Sequence, residues 1–351
     1  MTRHYDDGPG ALQEGSGQSP EGPGAPHGLP GTPGDAPGTL HYAHGIAAID
    51  SGYVRPMLDA IHLVEEQGRI AVVDSGCNAS VPAVLHALAV RGLDASCVDW
   101  ILLTHVHLDH AGGAGLLLQS CPNARVAVHP RGARHMIDPR RLMAGTIEVY
   151  GEEAARRMYG DIVPIPAQRI VEVRDGDRIE LAGRVFAVLD TPGHARHHVC
   201  YHDLKSDSVF VGDTFGLSYR ELDDGERQAI FPATTPVQFD PPALRASIDR
   251  LLALQPQALF LTHYGRVHEV ARLGARLRAM VDDFERLAIA HADAGPRRAR
   301  LLREGVQAIL LAEAREQGWP LAPERVLALF RDDVPLNASG LESWLDARSA
   351  G

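Results

Sequence analysis

Short apolar segments recur along the chain at the length of buried strands, and segments with helical spacing lie between and after them. The strand-like segments are residues 44–50, 60–64, 69–74, 100–103, 125–129, 169–173, 178–181, 185–189, 208–212 and 258–262. Helical spacing occurs at residues 81–92, 131–160, 241–254, 268–317 (with a break at 295–296), 323–330 and 340–348. The pattern predicts an α/β fold followed by a helical C-terminal part.

Four of the predicted strands run into a side chain that can bind a metal ion. The segment at 100–103 leads to His105, and those at 186–189, 208–212 and 258–262 lead to His194, Asp213 and His263. A single polar residue at a strand end is common, but four of ligand type indicate that these ends converge on one rim. We therefore expect one shared metal site where the strands end.

The densest motif is His-x-His-x-Asp-His at residues 105–110, directly after the strand at 100–103. Residues two apart on an extended chain point to the same side, so His105 and His107 can bind one ion together. Asp109 and His110 follow in a turn and can face a second ion. Glycines at 112 and 113 let the backbone pass close to the site. The alternative is a polar loop with incidental histidines.

The candidate ligands form two sets joined by one carboxylate. The sets are His105, His107 and His194 for one ion, Asp109, His110 and His263 for the other, and Asp213 as the bridge. Such ligands suit Zn²⁺ and also accept Fe or Mn. Two ions about 3.5–4 Å apart can share a hydroxide that attacks a carbonyl. Asp109 can orient that hydroxide and accept its proton. Asp74 either forms a turn or hydrogen-bonds a ligand histidine.

Composition narrows the function classes. The 351 residues carry 34 Lys and Arg against 45 Asp and Glu, and the net charge of −11 argues against a nucleic-acid or membrane partner and for a small-molecule substrate. The four cysteines are scattered, no apolar run is long enough to span a membrane, and the N-terminus does not resemble a signal peptide. We therefore expect a cytoplasmic protein.

The composition also changes along the chain and predicts three segments. Gly and Pro dominate residues 1–38, which predicts a disordered tail. Residues 39–275 carry the strands and the candidate ligands, and residues 276–351 form a helical extension. The extension can serve as a lid, as the surface of a homodimer or as simple packing on the main domain, and the sequence leaves these alternatives open.

The motifs resemble those of the metallo-β-lactamase superfamily. The signature at 104–110 is followed in the expected order by residues 191–194, 212–214 and 262–263, and residues 73–76 resemble an early strand-end motif of the family. The resemblance covers about residues 40–275. It implies a four-layer αβ/βα sandwich, with two sheets packed face to face, helices outside and the metals at one edge.

The residue at position 213 indicates the branch of the family. Class B β-lactamases carry Cys or another residue there, whereas an aspartate is similar to the glyoxalase II and glyoxylase-like branch. This resemblance implies a binuclear zinc hydrolase of esters, thioesters or lactones. It also gives Tyr219 a role, because a tyrosine of similar lactonases hydrogen-bonds the substrate carbonyl; the alternative for Tyr219 is packing on the core.

Two other functions remain open. Persulfide dioxygenases resemble glyoxalase II but use one iron, on the positions of His105, His194 and Asp213, with open positions for O₂ and a thiol. A non-catalytic scaffold would keep the metal and only bind a partner. The number and identity of the bound metals discriminate between the hydrolase and the dioxygenase.

Overall fold

The computed structural model describes residues 29–30, 34–35 and 37–349, and two β-sheets form its centre. In this described part, the first sheet has eight strands that neighbour one another in chain order: β1 (Leu29–Pro30), β2 (Leu40–His41), β3 (Ile46–Asp50), β4 (Ala60–Glu66), β5 (Arg69–Val73), β6 (Val98–Leu102), β7 (Arg125–Val128) and β8 (Ile170–Glu172). The second has six, also in chain order: β9 (Arg178–Leu181), β10 (Arg184–Asp190), β11 (Val199–Asp203), β12 (Ser208–Gly212), β13 (Ala258–Leu261) and β14 (Gly265–Val267). Strands β5 to β8 are parallel, as are β12 and β13, while the other neighbours are antiparallel.

Most of the helices lie on the outer faces of the two sheets. The α-helices are α1 (Val81–Val90), α2 (Leu108–Ala111), α3 (Ala114–Ser120), α4 (Pro130–Ile137), α5 (Arg140–Tyr150), α6 (Glu152–Tyr159), α7 (Pro241–Ala253), α8 (Val270–Ala290), α9 (Arg298–Gln317), α10 (Pro323–Leu329) and α11 (Asp333–Ser349). None of the described helices is both long and apolar enough to cross a membrane.

The central strands contribute side chains to two cores. Successive side chains of a strand point to opposite sides, so one set faces the other sheet and the alternate set faces the helices. In β12, Phe210 lies in the core between the sheets, where its ring stacks on Phe260 at 5.0 Å. Its neighbours Val209 and Val211 lie in the core that the second sheet forms with α7 to α11. Helices α1 to α4 cover the outer face of the first sheet in the same way. The predicted four-layer αβ/βα sandwich with C-terminal helices is confirmed.

The predicted segment boundaries fall within continuous structure. Helix α8 crosses the boundary between residues 275 and 276, and its side chains share one core with the second sheet and with α9 to α11. Residues 1–28, 31–33 and 36 of the predicted tail lie outside the described residues. The described part of that tail includes β1, which pairs with β2. The three-segment division stays a prediction.

Candidate metal centre

Four strands bring their carboxyl ends to one edge of the sandwich. Strands β10 and β12 both run antiparallel to β11 and so point the same way, and β13 is parallel to β12. The residues that follow them include His194, Asp213 and His263. The turn after β6 joins this edge from the first sheet, where the N–H of Val199 donates to the carbonyl of Thr104 at 2.8 Å. The convergence of strand ends that the sequence predicted is therefore present.

The first group of candidate ligands consists of His105, His107, His194 and Asp213, whose ligand atoms lie within 4.8 Å of one another. The Nε2 atoms of His105 and His194 lie 2.9 and 3.0 Å from Nδ1 of His107. Oδ2 of Asp213 lies 3.4 Å from Nε2 of His194. All four side chains are buried or half-buried. Their lone pairs converge on a point that one metal ion could occupy.

The second group consists of Asp109, His110 and His263. Oδ2 of Asp109 lies 3.7 Å from Nε2 of His110 and 3.7 Å from Nε2 of His263. Oδ1 of Asp213 lies 3.2 Å from Nε2 of His110 and 3.4 Å from Nε2 of His263. The two oxygens of Asp213 therefore face different groups, which is the arrangement of a bridging ligand.

A partner on the far side of the imidazole fixes the orientation of three histidines. Nδ1 of His194 donates to the carbonyl of Ala233 at 3.0 Å, and Nδ1 of His110 donates to Asp74 at 2.8 Å. Nδ1 of His263 lies 2.7 Å from Oδ1 of Asp59 and 3.1 Å from the carbonyl of Leu58. These contacts hold the hydrogen on Nδ1 and turn the Nε2 lone pair toward the two groups.

Asp74 connects the first motif to the end of β13. Its carboxylate accepts hydrogen bonds from the N–H and hydroxyl of Thr104 and from the hydroxyl of Thr262 at 2.9–3.0 Å, in addition to His110. The Thr104 oxygen in turn lies 3.1 Å from Nδ1 of His105. Of the two alternatives that the sequence left open for Asp74, these contacts are those of a hydrogen-bond partner to a ligand histidine.

His198 and Gly212 fix the backbone next to Asp213. Nε2 of His198 accepts from the N–H of Asp213 at 3.3 Å, and its ring stacks on His105 with centroids 5.0 Å apart. Gly212 has a φ of +47°, and a Cβ there would lie 2.6 Å from Oγ1 of Thr104 and 2.7 Å from Nε2 of His198. Only glycine fits this position without displacing both neighbours.

Burial favours the neutral form of the three histidines of the first group. It lowers the pKa of His105, His107 and His194, and nearby imidazoles add to this effect, while the carboxylate of Asp213 opposes it at His107 and His194. A neutral imidazole is the form that binds a metal ion. The histidines of this group therefore need no deprotonation to act as ligands at neutral pH.

The second group holds charge of both signs. Burial disfavours a charged imidazole, but the carboxylate of Asp213 and its acidic neighbours raise the pKa of His110 and of His263 well above the ordinary value. Burial likewise raises the pKa of the Asp213 carboxyl, and the three nearby imidazoles reverse this effect and lower it well below its usual range. The centre thus contains a buried carboxylate whose charge protons or metal cations must balance.

The surroundings of two buried polar atoms show whether these residues fit a metal ion. Nε2 of His110 and Oδ1 of Asp213 are buried, and neither has an aligned hydrogen-bond partner among the described residues, although they lie 3.2 Å apart. A buried polar atom without a partner costs about 1–3 kcal/mol. A cation between them would satisfy both atoms, so the residues present fit the two-metal site that the sequence predicted.

Tyr219 is buried, and its hydroxyl already has a partner. The hydroxyl donates to Oδ1 of Asp333 at 2.9 Å, and the guanidinium of Arg55 lies 4.5 Å from the centre of its ring. The predicted hydrogen bond to a substrate stays a prediction, and these contacts favour the packing alternative.

The contact of Asp59 with His263 was not predicted from the sequence, because a lone aspartate before β4 carries no pattern that links it to His263.

Comparison with known proteins agrees with this geometry. A family model described as the metallo-beta-lactamase superfamily matches residues 55–263. A metallo-beta-lactamase fold-containing protein of Sulfurisphaera tokodaii is 26% identical over 228 residues, which are 64% of this chain and 79% of that protein. A hydroxyacylglutathione hydrolase of Stenotrophomonas maltophilia is 33% identical over 198 residues, 56% of this chain and 56% of that enzyme. The chain therefore spans little more than half of that second relative.

Solved structures extend the likeness to most of the chain. A metallo-beta-lactamase family protein of Thermus thermophilus superposes with a TM-score of 0.61 at 22% identity, over 87% of this chain and 94% of its own. An archaeal metallo-beta-lactamase superfamily protein from Sulfolobus tokodaii superposes with a TM-score of 0.55 at 25% identity, over 68% and 87%. The first of these, at its low identity, supports the fold alone.

Replacing Asp213 with alanine should remove at least one metal ion from the purified chain, because both groups lose an oxygen ligand. Elemental analysis and the rise in unfolding temperature on adding Zn²⁺ both report this loss. His202→Ala is the matched control, since His202 lies on β11, bonds to Asp207 at 3.1 Å and belongs to neither group. Wild-type metal content in Asp213→Ala would contradict the bridging role.

Replacing Tyr219 with phenylalanine should lower the free energy of unfolding by about 1–3 kcal/mol, because the half-buried carboxylate of Asp333 loses its donor. We expect kcat to stay unchanged, since the hydroxyl is bonded to Asp333. Denaturant unfolding and steady-state kinetics at equal metal content measure the two quantities. A fall in kcat of about tenfold without a change in metal content, the scale of one lost hydrogen bond in the transition state, would instead support the catalytic role.

Proposed function

Because the chain belongs to the metallo-beta-lactamase superfamily, we propose that it is a binuclear metal-dependent hydrolase that attacks an ester, thioester or lactone carbonyl. One observation above all supports this: the carboxylate of Asp213 presents one oxygen to His194 and the other to His110 and His263. A carboxylate placed in this way could bind two adjacent ions, one through each oxygen.

Each group of side chains has a separate task in this proposal. His105, His107 and His194 would hold one ion and Asp109, His110 and His263 the other, with Asp213 between them. Zn²⁺ is the metal that we propose, and Fe or Mn suits the same donors. When bound, the two ions would supply a nucleophilic water at neutral pH and polarise the substrate carbonyl.

Asp109 is the acidic side chain best placed to handle the proton of the attacking water. Its side chain is 20% exposed, whereas that of Asp213 is 5% exposed. Asp109 thus reaches both the second group and the open side of the site, where substrate would arrive. We propose that it orients the water and accepts its proton.

The chain's similarity to hydroxyacylglutathione hydrolases makes a thioester the first substrate class to test. The net charge of −11 favours a small molecule over nucleic acid or a membrane surface. The cytoplasmic location and a homodimer stay proposals.

A mononuclear iron dioxygenase is the alternative from another reaction class. It would need only His105, His194 and Asp213, which would leave the second group without a role. The buried Nε2 of His110 has no aligned hydrogen-bond partner among the described residues, and this favours the binuclear hydrolase, because a second ion would bind that atom. A metal-bound scaffold without activity is a third alternative.

A panel of thioesters, lactones and simple esters tests the proposal. We expect the full-length chain to hydrolyse at least one class, to lose the activity on treatment with a chelator and to regain it with Zn²⁺. His105→Ala should be inactive, whereas His202→Ala should retain wild-type turnover. No hydrolysis by the chain with its metals bound, together with oxygen uptake on glutathione persulfide, would establish the dioxygenase instead; inactivity in both assays would favour the scaffold.

A further inference from the structure

Helix α11, near the C-terminal end of the chain, reaches the loop that holds the candidate ligand His194. This loop, residues 232–235, lies between β12 and α7 and carries the carbonyl of Ala233, which accepts from Nδ1 of His194 at 3.0 Å. Asn337 lies in the first turns of α11 and faces the loop. Its side chain is 2% exposed, and Thr234 is fully buried.

The amide of Asn337 bonds to the loop on both sides of Ala233. Its Nδ2 donates to the carbonyl of Pro232 at 3.1 Å. Its Oδ1 accepts from the N–H of Thr234 at 2.6 Å and from the hydroxyl of Thr234 at 2.8 Å. The N–H of Thr234 belongs to the same planar peptide group as the Ala233 carbonyl, and the carbonyl of Pro232 belongs to the preceding one. One side chain therefore holds both peptide groups, and the direction of the Ala233 carbonyl is fixed with them.

The backbone of α11 also contacts this loop directly. A Cβ at Gly340, three residues after Asn337, would lie only 1.4 Å from the carbonyl oxygen of Thr234. The helix and the loop are thus in contact without an intervening side chain, so the loop cannot move toward α11. A second contact fixes α11 at a neighbouring segment, because Asp333, one turn before Asn337, accepts from the hydroxyl of Tyr219.

We propose that Asn337 is a positioning residue for His194: it holds the Ala233 carbonyl in place, and that carbonyl sets the hydrogen and the ring orientation of the imidazole. The task requires a donor and an acceptor on one short side chain, which aspartate, leucine and alanine lack. The inference rests on the proposed function in one respect, namely that His194 binds a metal. It gives the C-terminal helix a role in the metal centre in addition to its packing on the second sheet.

The role predicts an effect on metal affinity that is separate from stability. Replacing a residue that orients a metal ligand through a hydrogen bond commonly lowers affinity about 10–100-fold. Asn337 acts on His194 through the backbone of Ala233, so we expect Asn337→Ala to weaken the binding of one of the two ions by about tenfold, the lower end of this range. If Asn337 served only to satisfy buried backbone groups, the variant would unfold at a lower temperature but bind both ions as the wild type does.

In the experiment, the full-length chain is first freed of metal with a chelator and then titrated with Zn²⁺ in competition with a chromophoric chelator, which gives the two affinities. A second titration uses Co²⁺, whose visible spectrum reports the ligand geometry. Leu345→Ala is the matched control, because Leu345 is a buried core residue two turns further along α11. This control should lower the unfolding temperature and leave both affinities and the Co²⁺ spectrum unchanged. Asn337→Ala should change one affinity and the spectrum.

The outcomes separate this inference from the proposed function. A wild-type chain that binds fewer than two ions contradicts the binuclear centre, and a His194→Ala variant with wild-type affinities removes the premise for Asn337. If the wild type binds two ions and His194→Ala loses one, unchanged affinities in Asn337→Ala overturn the positioning role. Should Asn337→Ala fail to fold, Asn337→Asp decides in the same way, since its carboxylate cannot donate to Pro232.

Discussion

The burial of the Asp213 carboxylate between imidazoles is the constraint on which the rest of the site depends. An ionised carboxylate that is 5% exposed is stable only where positive charge surrounds it. The imidazole of His194 faces it on one side and those of His110 and His263 face it on the other, and protons or metal cations held among these groups would supply that charge. The fold meets this requirement by ending β6, β10, β12 and β13 at one edge, so that the donors lie within a few residues of a strand end, with Asp109 and His110 on the short helix α2.

Residues outside the four strand ends fix the orientation of the histidine side chains. The imidazole nitrogens that face away from the centre contact Asp74, Asp59 and the carbonyl of Ala233. The last of these contacts leads through Thr234 to Asn337 on α11. The family model ends at residue 263, yet α8 to α11 share a core with the second sheet. The C-terminal helices are therefore continuous with the structure that holds the site.

The sequence predicted the candidate ligands because their signal is local: an apolar strand followed at once by His or Asp is visible in a few residues. Asp59 and Asn337 could not be predicted in this way, since their partners lie about two hundred and one hundred residues away and depend on tertiary packing.

Strand β11 was not predicted, because His202 and Asp203 interrupt its apolar pattern. Helix α11 begins at Asp333, before the predicted residue 340, because Pro335 is tolerated in a first helical turn. The hydrogen bond from Tyr219 to Asp333 could not be predicted from the sequence either, because the two residues are more than one hundred positions apart.

Metal content per chain tests the central claim most directly. Elemental analysis of full-length protein purified without added metal should give close to two ions per chain, as Zn²⁺ or as a mixture of Zn, Fe and Mn that sums to two. That result would mean that both groups joined by Asp213 bind metal. One iron per chain and no second metal would contradict the binuclear account, because Asp109, His110 and His263 would then form no metal site.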